Sequence, residues 1–324
     1  MNEHRRGLLR AGGALAAGSW LGARAQDFPS RPITLVVPFS AGGSTDVSAR
    51  RLGEEMSKIL NTPVVIENKP GAGGFVATTH VTKAPKDGHT LLFGGAGITV
   101  INPHVFKALP YRVDELAPIS TVSKQAFVLN GNVSTGVRNT ADLIAYAKTR
   151  PDGLLIGTVG TGTTSHIIAE WIARTLGVKA VFVPYKGTAN STVDLIAGRI
   201  DVQIDGLTTA VAMHNAGKTR IVASMGSERA GLPQDVQTFI EAGHPALVAY
   251  AGGQLLAPAG TPDPVIRKLH RAVVAAMAVP SLAEKMIAAG EVPETSRSPE
   301  DFAAFLRSES ERWGAIIRPM NLSL

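Results

Sequence analysis

Short apolar runs alternate along this chain with longer stretches in which apolar residues return every three or four positions. Runs at 33–37, 64–66, 90–93, 127–129, 154–157, 181–183, 200–204 and 221–224 are brief and rich in Val, Ile, Leu and Phe, which predicts buried strands. Within 200–204, Ile200, Val202 and Ile204 alternate with Asp201 and Gln203, so that strand has one polar face. Helical spacing appears at 166–176, at 190–197 before Gly198, and in two long tail segments, 264–278 and 299–318. Ser298-Pro299-Glu300 reads as a helix start, with Ser298 as N-cap and Pro299 in the first position. The alternation predicts an α/β fold with mainly parallel sheets. There is no internal repeat and no low-complexity linker. Segments near 122–127 and 247–253 are placed to carry the chain between two lobes, which predicts a hinge of two neighbouring strands.

The most informative joint lies between the first strand and the helix spaced by Val47, Leu52, Met56, Ile59 and Leu60. It reads Pro38-Phe39-Ser40-Ala41-Gly42-Gly43-Ser44-Thr45-Asp46. Ser44 or Thr45 stands where a cap belongs. Gly42 and Gly43 let the backbone approach a ligand, and a helix N-terminus offers unpaired N–H groups and partial positive charge. Such a turn holds an anion without Lys or Arg. Taken alone, the same residues equally describe an ordinary tight turn.

The design recurs after 154–157. Thr158-Val159-Gly160-Thr161-Gly162-Thr163-Thr164-Ser165-His166 leads into a helix with Ile168, Trp171, Ile172 and Leu176 on one face. Two such turns facing each other across a cleft would hold a carboxylate between N–H and O–H donors.

Enzyme signatures fail on inspection. Gly160-Thr161-Gly162 and Gly71-Ala72-Gly73-Gly74 lack the third glycine of a dinucleotide loop, and Gly217-Lys218-Thr219 lacks the upstream glycine of a P-loop. There is no G-x-S-x-G elbow, and the eight His show no metal-ligand spacing. Ser165 and His166 are helix neighbours that do not face each other, so His166 reads as a helix-start hydrogen-bonding residue. No catalytic residue, metal or cofactor is expected. Asp46 suits the positive start of its helix, and it is also placed to orient water or receive an amine. Asp205, just past its strand, fits a ligand contact and a turn beside Gly206 equally well. Lys186 reads as a solvated charge.

The chain begins with an export pattern. Arg5-Arg6-Gly7-Leu8-Leu9-Arg10, a mildly apolar stretch from Ala11 to Leu21, and Ala23-Arg24-Ala25 predict a signal segment of residues 1–25, cleaved after Ala25. The arginine pair fits the twin-arginine route or a general secretory n-region. That segment holds four Arg against one Glu, +3 of the formal +6, which leaves the rest of the chain only mildly basic. With no basic run interleaved with aromatic residues, nucleic-acid binding is not expected. Cys is absent, so core packing rather than disulfides must hold this exported chain together.

The chain resembles the Bug (Bordetella uptake gene) or TctC-like extracytoplasmic solute receptors of tripartite tricarboxylate transport systems. The markers, in order, are Phe28-Pro29-Ser30-Arg31-Pro32-Ile33, the loop from Val37 to Asp46, Glu67-Asn68-Lys69-Pro70-Gly71-Ala72-Gly73-Gly74, Asp87-Gly88-His89-Thr90-Leu91-Leu92, Ile101-Asn102-Pro103, Val183-Pro184-Tyr185-Lys186-Gly187 and Leu256-Ala257-Pro258-Ala259-Gly260-Thr261-Pro262. The resemblance implies a Venus-flytrap, type II-like periplasmic-binding-protein fold of two α/β lobes, here 26–124 with 248–324, and 125–247. It implies a small carboxylate between them, delivered to integral-membrane transporter subunits. A periplasmic sensing subunit for a signalling receptor is the alternative. A monomer is the default.

The expected ligand contacts are Phe39, Ser40, Ala41, Gly42, Gly43, Ser44 and Asp46 from the first loop. Thr158, Gly160, Thr161, Gly162, Thr163, Thr164, Ser165 and His166 come from the second, joined by Gly95, Tyr185 and Asp205. Three positions depart from the family pattern: Ser40 stands where Pro is usual, Gly206 where Asn is usual, and Gln237 where Pro is frequent. Gly206 is expected to enlarge the ligand pocket.

Overall fold

The computed structural model describes residues 28–320 and residue 322. The expected signal segment and its cleavage point lie outside them. The first part of the chain forms β1 (Ile33–Val37), α1 (Ser44–Leu60), β2 (Val64–Asn68), α2 (Phe75–Thr82), β3 (Thr90–Gly94) and the short α3 (Asn102–Val105). A long strand, β4 (Leu116–Gly131), follows. Next come α4 (Thr140–Lys148), β5 (Leu154–Thr158), α5 (Thr164–Leu176), β6 (Ala180–Pro184), α6 (Thr188–Ile196), β7 (Val202–Gly206), α7 (Leu207–Asn215) and β8 (Arg220–Ser224). The chain then returns through β9 (Tyr250–Pro258) to α8 (Asp263–Met277), α9 (Pro280–Ala288), β10 (Glu291–Pro293) and α10 (Pro299–Ile317).

The strands form two sheets sharing β4. In one, the order is β2-β1-β3-β9-β4, with β10 on the other edge of β4. In the other, the last residues of β4, from Phe127, pair with β7 and β8, and β5 and β6 follow β7. The two-lobed α/β fold is the one expected. Its sheets are less parallel than the alternation of patterns implies. β1 pairs in parallel with β2 and β3, and β5 with β6 and β7. Every pairing made by β4 or β9 is antiparallel. Strands that carry the chain between lobes must run against the parallel strands of each. The expected strand 200–204 starts two residues late, at Val202, and the Asp201 side chain before it accepts from Leu155 N at 2.8 Å and Tyr146 OH at 2.9 Å.

Each lobe has its own packing. α1 and α8 lie on β1, β3 and β9 through Leu52, Met56, Leu269 and Val273, all fully buried against Leu35 and Leu91. In the other lobe Ile168 and Ile172 of α5 pack toward Ile156 and Ile204. The C-terminal α10 is capped as expected, Ser298 Oγ accepting from Asp301 N at 3.1 Å. It reaches across to the second lobe, where Trp313 meets Trp171 edge-on at 6.1 Å between centroids. Gln237, where Pro is frequent in the family, is half-buried and donates to Thr140 Oγ1 at 3.0 Å.

Parallel strands place their carboxyl ends, and the N-termini of the helices that follow, on one side of each sheet. Those two sides face each other.

Candidate ligand-binding cleft

Four helices begin at the cleft. α1 starts after Gly43, α5 after Thr163, α6 after Gly187 and α7 after Gly206, and none has a side-chain capping hydrogen bond at that residue. Ser44 and Thr45 do not cap α1 as expected, since the helix already begins at Ser44. By contrast, α4 is capped by Asn139 and α10 by Ser298. Uncapped first turns leave N–H groups without intrahelical partners, and four helix dipoles present their positive ends to one space.

That space is an inner cavity of about 100 Å³. Of the expected contacts it is lined by Phe39, Gly43, Ser44, Gly95, Thr163, Thr164, Ser165 and Asp205. Toward the outside a second hollow of about 410 Å³ is lined by Phe39 again, by Gly160, Thr161 and Tyr185, and by Lys186. The remaining expected residues stand behind the loops. Ala41 is exposed in its turn, and Thr158 is buried at the end of β5. Gly42, at φ +82°, turns its N–H to Asp46 Oδ2 at 2.9 Å. Asp46 also accepts from Arg50 Nε and Asn68 Nδ2, both at 2.9 Å, so its carboxylate is spent on holding the first loop. Burial opposes ionisation of Asp46, but Arg50, the Gly42 N–H and Asn68 outweigh it and hold the carboxyl below its ordinary value.

The second loop is tied in the same manner. Ser165 Oγ accepts from Val159 N at 2.8 Å, and Thr163 Oγ1 donates to Gly160 O at 2.7 Å. Gly162 N donates to His166 Nδ1 at 3.0 Å, and the imidazole meets Phe182 edge-on at 5.1 Å. His166 therefore pins the loop from behind. Burial lowers its pKa below 6.5, so its stabilising bond is fully present above that value and fades as pH falls through the folded-state value. His166→Ala is expected to cost about 1 kcal/mol in urea unfolding at pH 8, with the difference shrinking toward pH 5.

Ser40 links the lobes. Its Oγ donates to Asn190 Oδ1 at 2.8 Å, and its N–H donates to Lys186 O at 3.3 Å. Proline would supply neither donor. The departure at Ser40 thus adds two bonds between the lobes.

Among the described residues no Lys or Arg lines the inner cavity, and Asp205 is its one ionisable carboxylic acid. Burial pushes the Asp205 carboxyl up to about 7, against the bonds it receives from Thr209, the Gly206 N–H and Thr188. The cavity's apolar wall is made by Phe39, Phe93, Phe127, Ile98 and Ile204, and its other side chains are mainly hydroxyls and amides.

Ser48 and Gln125 also line the cavity and were not among the expected contacts. Ser48 donates to the fully buried Glu291 at 2.6 Å, as does Ser123. A serine and a glutamine on the inner faces of apolar elements were the signals available for them. Gly206 does not enlarge the pocket as expected. A Cβ there would lie 2.6 Å from Gln125 Oε1, so the glutamine fills that room.

Comparison with known proteins agrees with this architecture. The family model described as "Tripartite tricarboxylate transporter family receptor", TctC, matches residues 48–322. A UPF0065 protein of Bordetella pertussis is 36% identical over 305 residues, 93% of each chain. The solved periplasmic binding protein BugD is 31% identical with a TM-score of 0.86, covering 92% of this chain and 100% of that one. MatC from Rhodopseudomonas palustris, solved with bound malate, is 32% identical with a TM-score of 0.84, covering 90% of this chain and 100% of its own. On sequence, fold and extent of match, this chain belongs to the TctC family of tripartite tricarboxylate transporter receptors, whose relatives include the Bug proteins.

Proposed function

We propose that this chain is an exported periplasmic receptor. It captures a small carboxylate between its lobes and hands it to the membrane subunits of a tripartite tricarboxylate-type transporter. It carries out no reaction. The observation that supports this most directly is the meeting of four helix N-termini, none capped by its own N-cap side chain, at a cavity with no Lys or Arg among the described residues of its lining. Backbone N–H groups of the two glycine loops, the hydroxyls of Ser44 and Thr164, and bridging water then hold the carboxylate. Malate in the related MatC supports the ligand class. Ser165 and His166 are bonded to different backbone amides, Val159 and Gly162, which argues against a nucleophile–base pair. Ligand binding shifts the lobes from open to closed.

The test is a thermal-shift screen of residues 26–324, purified by denaturation and refolding to remove copurified ligand, against a library of carboxylates. An acid at a hundredfold excess over its Kd is expected to raise Tm by roughly 5 °C through mass action. Stabilisation by neutral or cationic solutes alone, with none by any acid, overturns the proposal.

A further inference from the structure

Gln125 sits in a hinge strand with its backbone fixed from both sides. In β4 it stands opposite Ala251 of β9 and Glu291 of β10. Its side chain is only 6% exposed and lines the inner cavity. The amide oxygen is already committed. It accepts from Thr208 N at 3.0 Å, filling from another strand the capping role that Gly206 cannot play for α7. The amide nitrogen has no protein acceptor among the described residues, not even the neighbouring Asp205. Its hydrogens remain available to the cavity that the side chain lines, so a group entering there can accept from it.

Gly206 is what permits this arrangement. Its backbone, at φ −81° and ψ 146°, is open to any residue, so no glycine is required by conformation. The obstacle is Gln125 itself. A Cβ at 206 would come within 2.6 Å of Oε1 and 3.0 Å of Cδ, and 3.1 Å of Ser44 Cβ. Gln125 and Gly206 therefore form one unit, glutamine filling what glycine vacates.

We propose that Gln125 is a specificity-determining residue whose Nε2 donates to a second oxygen of the ligand. The receptor then selects hydroxy-, keto- or dicarboxylic acids over the plain monocarboxylate of the same frame. This rests on the carboxylate reading given above. Thr208 N locks the amide the right way round, so the donor is preorganised and costs little on binding.

The test is isothermal titration with two sets of acids. One is butanoate, 2- and 3-hydroxybutanoate, 3-oxobutanoate and succinate. The other is benzoate, 4-hydroxybenzoate and terephthalate. In at least one set an oxygenated acid is expected to bind about 10- to 100-fold tighter than the plain acid. Gln125→Glu keeps an oxygen for Thr208 N but removes the donor, so the ligand-free protein should stay folded while the preference falls below threefold. Gly206→Ala should cause the same loss by displacing the amide. Adding Gly206→Ala to Gln125→Ala should take away nothing further, because the unit is already broken.

Full preference in Gln125→Glu, additive losses in the double variant, or tightest binding of the plain acid in both sets overturns the assignment. Binding of none of these acids, with none in the wider carboxylate screen, instead overturns the carboxylate reading on which it stands.

Discussion

Asp46→Ala is expected to lose about 2–4 kcal/mol of unfolding free energy and at least a hundredfold in ligand affinity. The carboxylate is 2% exposed, and it gathers the Gly42 N–H, two donors of Arg50 and Asn68 Nδ2. Asn68 Nδ2 in turn also donates to Phe39 O at 3.0 Å. Alanine leaves these donors without their acceptor and frees Gly42 from its φ of +82°, so the first loop no longer presents Gly43 and Ser44 to the cavity. Arg50 is half exposed and regains water, which keeps the cost below that of a fully buried pair. Asp46→Asn retains an oxygen for Gly42 N and should fall between wild type and Ala.

The pH dependence carries a fixed sign. The folded pKa of Asp46 lies below its ordinary 3.8, so the stabilisation is complete above that value and disappears as pH falls through the folded-state one. Urea unfolding of wild type and Asp46→Ala should therefore differ fully at pH 6 and converge in strong acid. A folded Asp46→Ala protein with wild-type affinity would show that the carboxylate does not hold the loop for binding.

Much of this was legible in the sequence, and the rest was hidden for physical reasons. The parallel units announced themselves, because strands buried on both faces, such as Ile33–Val37, are continuous apolar runs. β4 did not. Its sixteen residues include Ser120, Ser123, Lys124 and Gln125, which break the apolar run where the strand passes between lobes. Its 127–129 portion has the expected apolar run, and its 122–127 portion was expected only from its place between the lobes, as one of two neighbouring hinge strands. The two glycine loops were legible as anion-binding turns. Which of their residues face the ligand space was not, since sequence order cannot separate Gly43 and Ser44, which line the cavity, from Asp46, which is turned behind them. Gln125 and Glu291 were invisible for a related reason. Glu291 has its role only because β10 returns to lie beside β4, and Gln125 has its role only because α7 starts beside it, where Thr208 N reaches its oxygen.

Gly187→Val should leave each lobe folded and abolish tight binding by blocking closure. Gly187 caps α6 with φ 164° and ψ 165°, extended backbone that any residue adopts. What excludes a side chain is the other lobe. A Cβ would lie 2.3 Å from Ser40 Oγ and 3.1 Å from Ser40 N. Ser40 belongs to the loop after β1, so this clash arises only when the lobes meet. The ligand-free protein is expected to stay within about 1 kcal/mol of wild-type stability, the cost of a poor N-cap. Because the closed state is the one that engages ligand from both sides, making it rare lowers apparent affinity in proportion, by about a hundredfold or more. Ser40→Ala is the control. It removes the exposed bond to Asn190 but no volume conflict arises, so about a fivefold loss is expected. Small-angle scattering separates the cases: ligand should shrink the radius of gyration of wild type and of Ser40→Ala but not of Gly187→Val. Normal compaction and affinity in Gly187→Val would mean that the lobes close on their ligand without the approach of Ser40 to Gly187.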